Sequence, residues 1–198
     1  MKSSALALIV LLLMFPGAAP TGNSKAVSAK PPSDSAIMEQ KLLHLEANAR
    51  LPHPDQTPTV FTEQEANSYL ASDEIELPVG VQSVKLESTP GIITGEAKVD
   101  FDRVREGIHS SNPLLSIFSG VHDVVVVAHA HGAGGQGYVH VNSVSLDGVE
   151  IPEFVLELFV EKYLQPKNPQ IGLDSQFALP DRIDTANVGL HKLTVTQK

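Results

Sequence analysis

Val121–Leu146 reads VHDVVVVAHAHGAGGQGYVHVNSVSL. Two period-two, valine-rich segments, Val121–His131 and Tyr138–Leu146, flank the glycine-rich Gly132–Gly137. A turn centred on Gly134-Gly135 supplies the positive φ angles that a two-residue hairpin loop demands. Folding about it predicts that His131 opposes Tyr138, His129 opposes His140 and Val127 opposes Asn142. Because this loop joins strand to strand, it lacks the helix N-terminus that would cradle a phosphate.

Moving toward the N-terminus, Ile93, Gly95, Ala97, Val99 and Phe101 alternate with Thr94, Glu96, Lys98 and Asp100. That is an antiparallel strand with one wet and one apolar face. Gly95 and Ala97 are small on the apolar face and leave room in front of it. Pro90-Gly91 turns the chain back into a partner strand from Val81 to Ser88. Phe61–Leu70 opens a helix in which Thr62 and Glu65 form a capping box. Ile37–Asn48, with Ile37, Leu42, Leu45 and nearby Met38 at roughly helical spacing, predicts another helix. Between strand and hairpin, Phe101–Ser119 predicts a polar helical segment and then a short helix capped by Asn112 with Pro113 at its first position.

Moving toward the C-terminus, Asp147-Gly148 marks a tight turn and Ile151-Pro152 opens the most apolar helix, Glu153–Leu164. Phe154, Val155, Leu158 and Phe159 mark one of its faces. Glu153, Glu157 and Glu161 form its only charged stripe, so this helix is expected to be embraced by other structure. The glutamate stripe itself reads as a solvated face. Phe177–Pro180 and Ile183 lead into a last strand, Val188–Thr196, with Leu193 and Val195 inward. Helices, a run of antiparallel strands, a greasy helix and a final strand give one α+β domain over 37–198.

The N-terminus has a different character. Lys2, the apolar run Ala5–Phe15 and then Pro16, Gly17, Ala18 and Ala19 have the parts of an export signal. The run is shorter than the roughly 20 apolar residues of a membrane-spanning helix. Residues 1–19 are therefore expected to be a signal peptide and 20–36 a flexible leader, with no stable transmembrane span. The expected address is periplasmic or secreted.

The 198 residues include no cysteine, which excludes disulfides, thiolate metal sites and a cysteine nucleophile. Fourteen basic against 23 acidic residues give a formal charge of −9. That balance disfavours nucleic acid, and none is expected as a partner, since its binders normally carry a basic face. No Gly-x-Ser-x-Gly elbow is present, no catalytic residues are assigned, and no cofactor is expected.

Phe61, Thr62, Asn67, Tyr69 and Leu70 make an "fT-x-x-x-x-N-x-Y-L" helix. Val141–Pro152 reads "V-x-S-V-S-L-D-G-V-x-I-P" and runs into the apolar helix. Phe177, Leu179, Pro180 and Ile183 form "F-x-L-P-x-x-I" before the terminal strand. In this order the chain from about Phe61 to Thr196 resembles short bacterial envelope proteins similar to the tubular lipid-binding superfamily. The resemblance implies a curved, mostly antiparallel sheet wrapped around an apolar helix, leaving a groove for an acyl chain. Many such proteins stay membrane-tethered, whereas this chain is expected to be released.

The reading that follows is a non-enzymatic binding protein for an apolar or lipid-like molecule. Its expected lining is Ile93, Gly95, Ala97, Val99 and Phe101 from the strand, with Phe154, Val155, Leu158 and Phe159 from the helix. Two alternatives stand beside it. His129 and His131 share a strand face and His140 comes opposite, so three imidazoles could hold a metal ion, as a carrier or a metallo-enzyme. The chain could instead act as a structural protein with an envelope protein partner.

Overall fold

The computed structural model describes residues 32–73, 75–108, 119–161, 165 and 172–198. The expected signal peptide, most of the leader and the Asn112-Pro113 helix lie outside them. Within them the chain is α+β, with helices set against a nine-stranded antiparallel sheet that does not close.

Helix α1 (Asp34–Ala49) starts at Ser33, whose hydroxyl accepts the Ala36 N–H at 3.3 Å. It turns Met38, Leu45 and Asn48 into the core. Strand β1 (Thr59–Thr62) runs directly into α2 (Glu63–Leu70). The capping box is present: Thr62 Oγ1 accepts from Glu65 N at 3.2 Å and Glu65 Oε2 accepts from Thr62 N at 2.9 Å. The asparagine of the sequence motif has its own task. Asn67 donates to Leu86 O at 2.8 Å and accepts from Leu86 N at 2.7 Å, so its amide covers the edge of β2. Tyr69 and Leu70 follow it into the core.

Strands β2 (Val81–Thr89) and β3 (Ile92–Asp100) form the expected hairpin. Helix α3 (Phe101–Ile108) then begins, which takes Phe101 out of the strand to which its alternation had assigned it. Strands β4 (Val121–Ala133) and β5 (Gln136–Leu146) turn at Gly134 and Gly135, with φ of 60° and 79°. His131 opposes Tyr138 and His129 opposes His140, as the turn dictates. Val127, however, pairs with Ser143, because Asn142 is an extra residue bulged out of β5. The bulge shifts the inward phase of β5, so that Val139 and Val141 on one side of it and Val144 and Leu146 on the other all share the apolar face.

After β6 (Val149–Glu150) and α4 (Glu153–Phe159) come β7 (Asp174–Ala178), β8 (Ile183–Gly189) and β9 (Lys192–Gln197). The single final strand expected from Val188 is thus a hairpin, turning at Leu190-His191 with His191 at φ 52°. The strands run β1-β9-β8-β4-β3-β2, and β5 lies on the other edge of β4, carrying β6 and β7. Strands β3 and β8 share one edge of β4 in succession: β3 along Val121–His129, β8 at His131 and Gly132. Gly132 is needed there, since a Cβ would sit 2.8 Å from Ala186 Cβ and from Leu179 Cδ1.

The main buried cluster joins Met38 and Leu45 of α1, Phe61 of β1, and Tyr69 and Leu70 of α2 to Val84, Val99, Ile183 and Val195 of the sheet. A second cluster holds Ala128, Ala130 and Val139, with Ile93, Phe177 and Val188 against it. Helix α4 contributes to neither. Phe154 is 63% exposed and Leu158 40%, although the sequence places both inward. The position against the sheet is taken by α1 and α2, so the apolarity of α4 does not translate into burial. Glu153, Glu157 and Glu161 are exposed, as expected of a solvated stripe.

Candidate functional site

On the inner face, β2, β3, β4 and β5 put their apolar residues in register. Leu86 opposes Gly95, Gly95 opposes Val126, and Val126 opposes Val144. Val126 and Val144 are half-buried and belong to neither cluster. Among the described residues a Cβ built on Gly95 would meet only Leu86 Cδ2, at 3.6 Å, so the strip is uncrowded there. At its Leu86 end the strip reaches an apolar groove walled by Met38, Phe61, Ala66, Leu86, Ile93 and Leu193, with a volume of about 70 Å³. Leu86 is therefore both the end of the strip and a wall of the groove, and Ile93, two residues from Gly95 on the same face of β3, is another wall.

The rim of the groove is polar. Glu63 Oε2 accepts from Ser88 N and from His191 Nδ1, each at 2.9 Å, tying α2 to the β2–β3 and β8–β9 turns. Burial pushes the Glu63 carboxyl up, but the bonds from His191 and Ser88 outweigh it and hold the carboxyl below its ordinary range. Glu87 is paired with Lys85 at 2.6 Å. Lys192 stands exposed at the same rim.

The expected lining residues divide by element. Ile93, Gly95, Ala97 and Val99 share the inner face of β3, with Val99 buried and Ala97 packed on the main cluster. Phe101 is half-buried at the start of α3, its ring edge-on to His122 at 5.8 Å. Val155 and Phe159 of α4 are half-buried, Phe154 and Leu158 exposed, and none of the four lines the groove. What the sequence reading missed is the contribution of Met38, Phe61, Leu86 and Leu193. Leu193 is read from the sequence as inward and Met38 lies near a helical apolar row, but the convergence of the four needs contacts across most of the chain.

The histidines stand elsewhere. His129 Nδ1 donates to Asn142 Oδ1 at 2.7 Å and His140 Nδ1 donates to Asp174 Oδ1 at 2.6 Å. His131 lies flat on Tyr138, 4.9 Å between ring centroids and 13° between planes. Among the described residues no three or more His, Asp or Glu side chains are placed to share a metal ion. The three-imidazole cluster read from the sequence is therefore not formed, because stacking on Tyr138 holds His131 apart. At the far end of β4, His122 lies between two acceptors, Asp147 Oδ2 at 2.6 Å and Ser119 O at 3.0 Å. The bond to Asp147, then that to Ser119, raises the His122 pKa. His122, then the Asp123 N–H, lowers that of Asp147.

Among the described residues no helix is long and apolar enough to cross a membrane. No family model, curated protein or solved structure matches the chain.

Proposed function

We propose that the protein is an exported, non-enzymatic binding protein for a thin, flexible apolar chain of the lipid type. The observation that supports this reading is that Leu86 both walls the apolar groove and opposes Gly95 at the end of the row Gly95–Val126–Val144. The magnitude selects the ligand shape. A cavity of about 150 Å³ accepts benzene, and the groove holds about 70 Å³. So small a groove suits the end of a single chain, with the rest laid along the strip. A chain ending in a carboxylate meets Lys192 at the rim, where Glu63 and Glu87 are already bonded. The N-terminal signal-like sequence supports an address outside the cytoplasm. The motif resemblance of Phe61–Thr196 to envelope proteins of the tubular lipid-binding type agrees with the ligand class.

The test is solvent extraction of the purified protein followed by mass spectrometry, with titration of a fluorescent fatty acid into the stripped protein. Recovery of a chain lipid, or saturable uptake at one site, supports the reading. Protein that yields no lipid and ignores the probe overturns it.

A further inference from the structure

The outer face of the sheet, opposite the groove, carries a different chemistry. Strands β4, β5 and β7 align two rows of side chains across it. One row is His131, Tyr138 and Gln176, and the other is His129, His140 and Asp174. They line an open depression of about 410 Å³.

We propose that His129 and His140 form a two-imidazole site for a borderline divalent transition-metal ion, Cu²⁺ above all. Three observations carry it. First, the two residues are direct cross-strand partners, which sets their Cβ atoms about 4.5–5.5 Å apart. At that spacing two imidazoles can converge on one ion, at the roughly 2.0–2.1 Å of a metal–imidazole bond. Second, both Nδ1 atoms are committed. A carboxylate oxygen of Asp174 and an amide oxygen of Asn142 only accept, so each Nδ1 carries its hydrogen and the neutral ring keeps its lone pair on Nε2. A carboxylate or carbonyl oxygen behind the imidazole is the arrangement that orients metal-binding histidines. Third, the partner of His129 is the bulged Asn142, so the strand irregularity itself supplies one orienting group.

Two ring nitrogens with solvent room beside them suit an ion that completes its shell with water. Among divalent first-row ions such a nitrogen site favours Cu²⁺ over Ni²⁺ and Zn²⁺. His131 is outside the site because its ring is stacked on Tyr138.

The experiment is calorimetric titration of Cu²⁺ alone into the full chain without an affinity tag, with electron paramagnetic resonance of the loaded protein. Expected are one saturable site, a two-nitrogen spectrum, and weaker binding of Zn²⁺. His129→Ala and His140→Ala each lower the affinity at least tenfold. Asp174→Asn lowers it about tenfold through His140. His131→Phe, which keeps the stack, leaves it unchanged. All four residues are exposed, and circular dichroism verifies that the variants fold. Unaltered Cu²⁺ binding in the His129→Ala/His140→Ala double variant, no saturable binding below millimolar Cu²⁺, or equal dependence on His131 overturns the assignment. Because the depression and the groove lie on opposite faces, this result is independent of lipid uptake.

Discussion

Asn48 and Gln197 meet through a 2.7 Å hydrogen bond across 149 residues of sequence, each only 4% exposed. Neither amide is left unsatisfied. Asn48 also exchanges two bonds with the backbone of Asp55, while Gln197 donates to the carbonyls of Leu45 and Asp181. The pair pins α1 and its following loop to the last strand, and so fixes the helix that supplies Met38 to the groove.

Gln197→Ala should therefore cost about 2–3 kcal/mol, since it strands buried partners as well as removing contacts. Asn48→Ala should cost a similar amount, and the double variant less than the sum, because the two act as a unit. Urea unfolding followed by circular dichroism measures all three. Strict additivity would mean that the bond contributes no coupling.

Glu65 is buried, and Lys41 Nζ lies 2.7 Å from both of its carboxylate oxygens. Burial raises its pKa, but the bond from Lys41 and that from the Thr62 N–H outweigh it, and the net shift is downward. A carboxyl lowered by folding stabilises the protein above its unfolded pKa of about 4.3, and that contribution is lost as pH falls through the folded value. Glu65→Gln should be less stable than the native chain at pH 7 and should lose less on acidification from pH 5 to 3. Thermal melts across that range check the sign.

At His122 the sign is reversed. A histidine raised by folding stabilises fully below its unfolded pKa of about 6.5, and the contribution fades as pH rises through the higher folded value. Both ring nitrogens face acceptors, which only the doubly protonated ring satisfies. Proton-detected titration should place His122 above an ordinary histidine side chain, and Asp147→Asn should bring it down. An identical titration curve in that variant would show that the ion pair does not set it.

Two glycines separate crowding from openness. Gly132→Ala forces a methyl against Ala186 and Leu179 and should cost about 1–3 kcal/mol. Gly95→Ala meets, among the described residues, only Leu86 and at an ordinary distance. It should leave stability unchanged or raise it by about 0.5–1 kcal/mol, as expected when glycine leaves a strand interior. Equal losses at both positions would remove the argument that the strip at Gly95 is open.

Much of this architecture is legible locally. Thr62 and Glu65 announce the start of α2, and Gly134-Gly135 fixes the pairing of His131 with Tyr138 and of His129 with His140. The slip at Asn142 is not legible, because Asn142 and Ser143 are both polar and give no cue as to which one is extra. Strand β1 is short and borrows its identity from β9, whose Leu193 opposes Phe61. The β8–β9 turn carries Leu190-His191 in place of the usual Gly or Asn, and so reads as continuous strand. Helix α4 shows that composition marks a segment as able to be buried, while competition for the sheet decides which segment is. The groove was visible only in part: Ile93 and Gly95 reveal themselves through alternation, but Met38, Phe61 and Leu193 reach it through tertiary contacts that local pattern does not encode.

The most direct test of chain binding is titration of a fluorescent fatty acid and of the matching fatty alcohol into delipidated native protein, Gly95→Phe and Lys192→Glu. The account expects saturable uptake of both by the native protein, loss of both in folded Gly95→Phe, and at least tenfold weaker binding of the acid alone in Lys192→Glu. Undiminished uptake by Gly95→Phe, or none by the native protein, would contradict it.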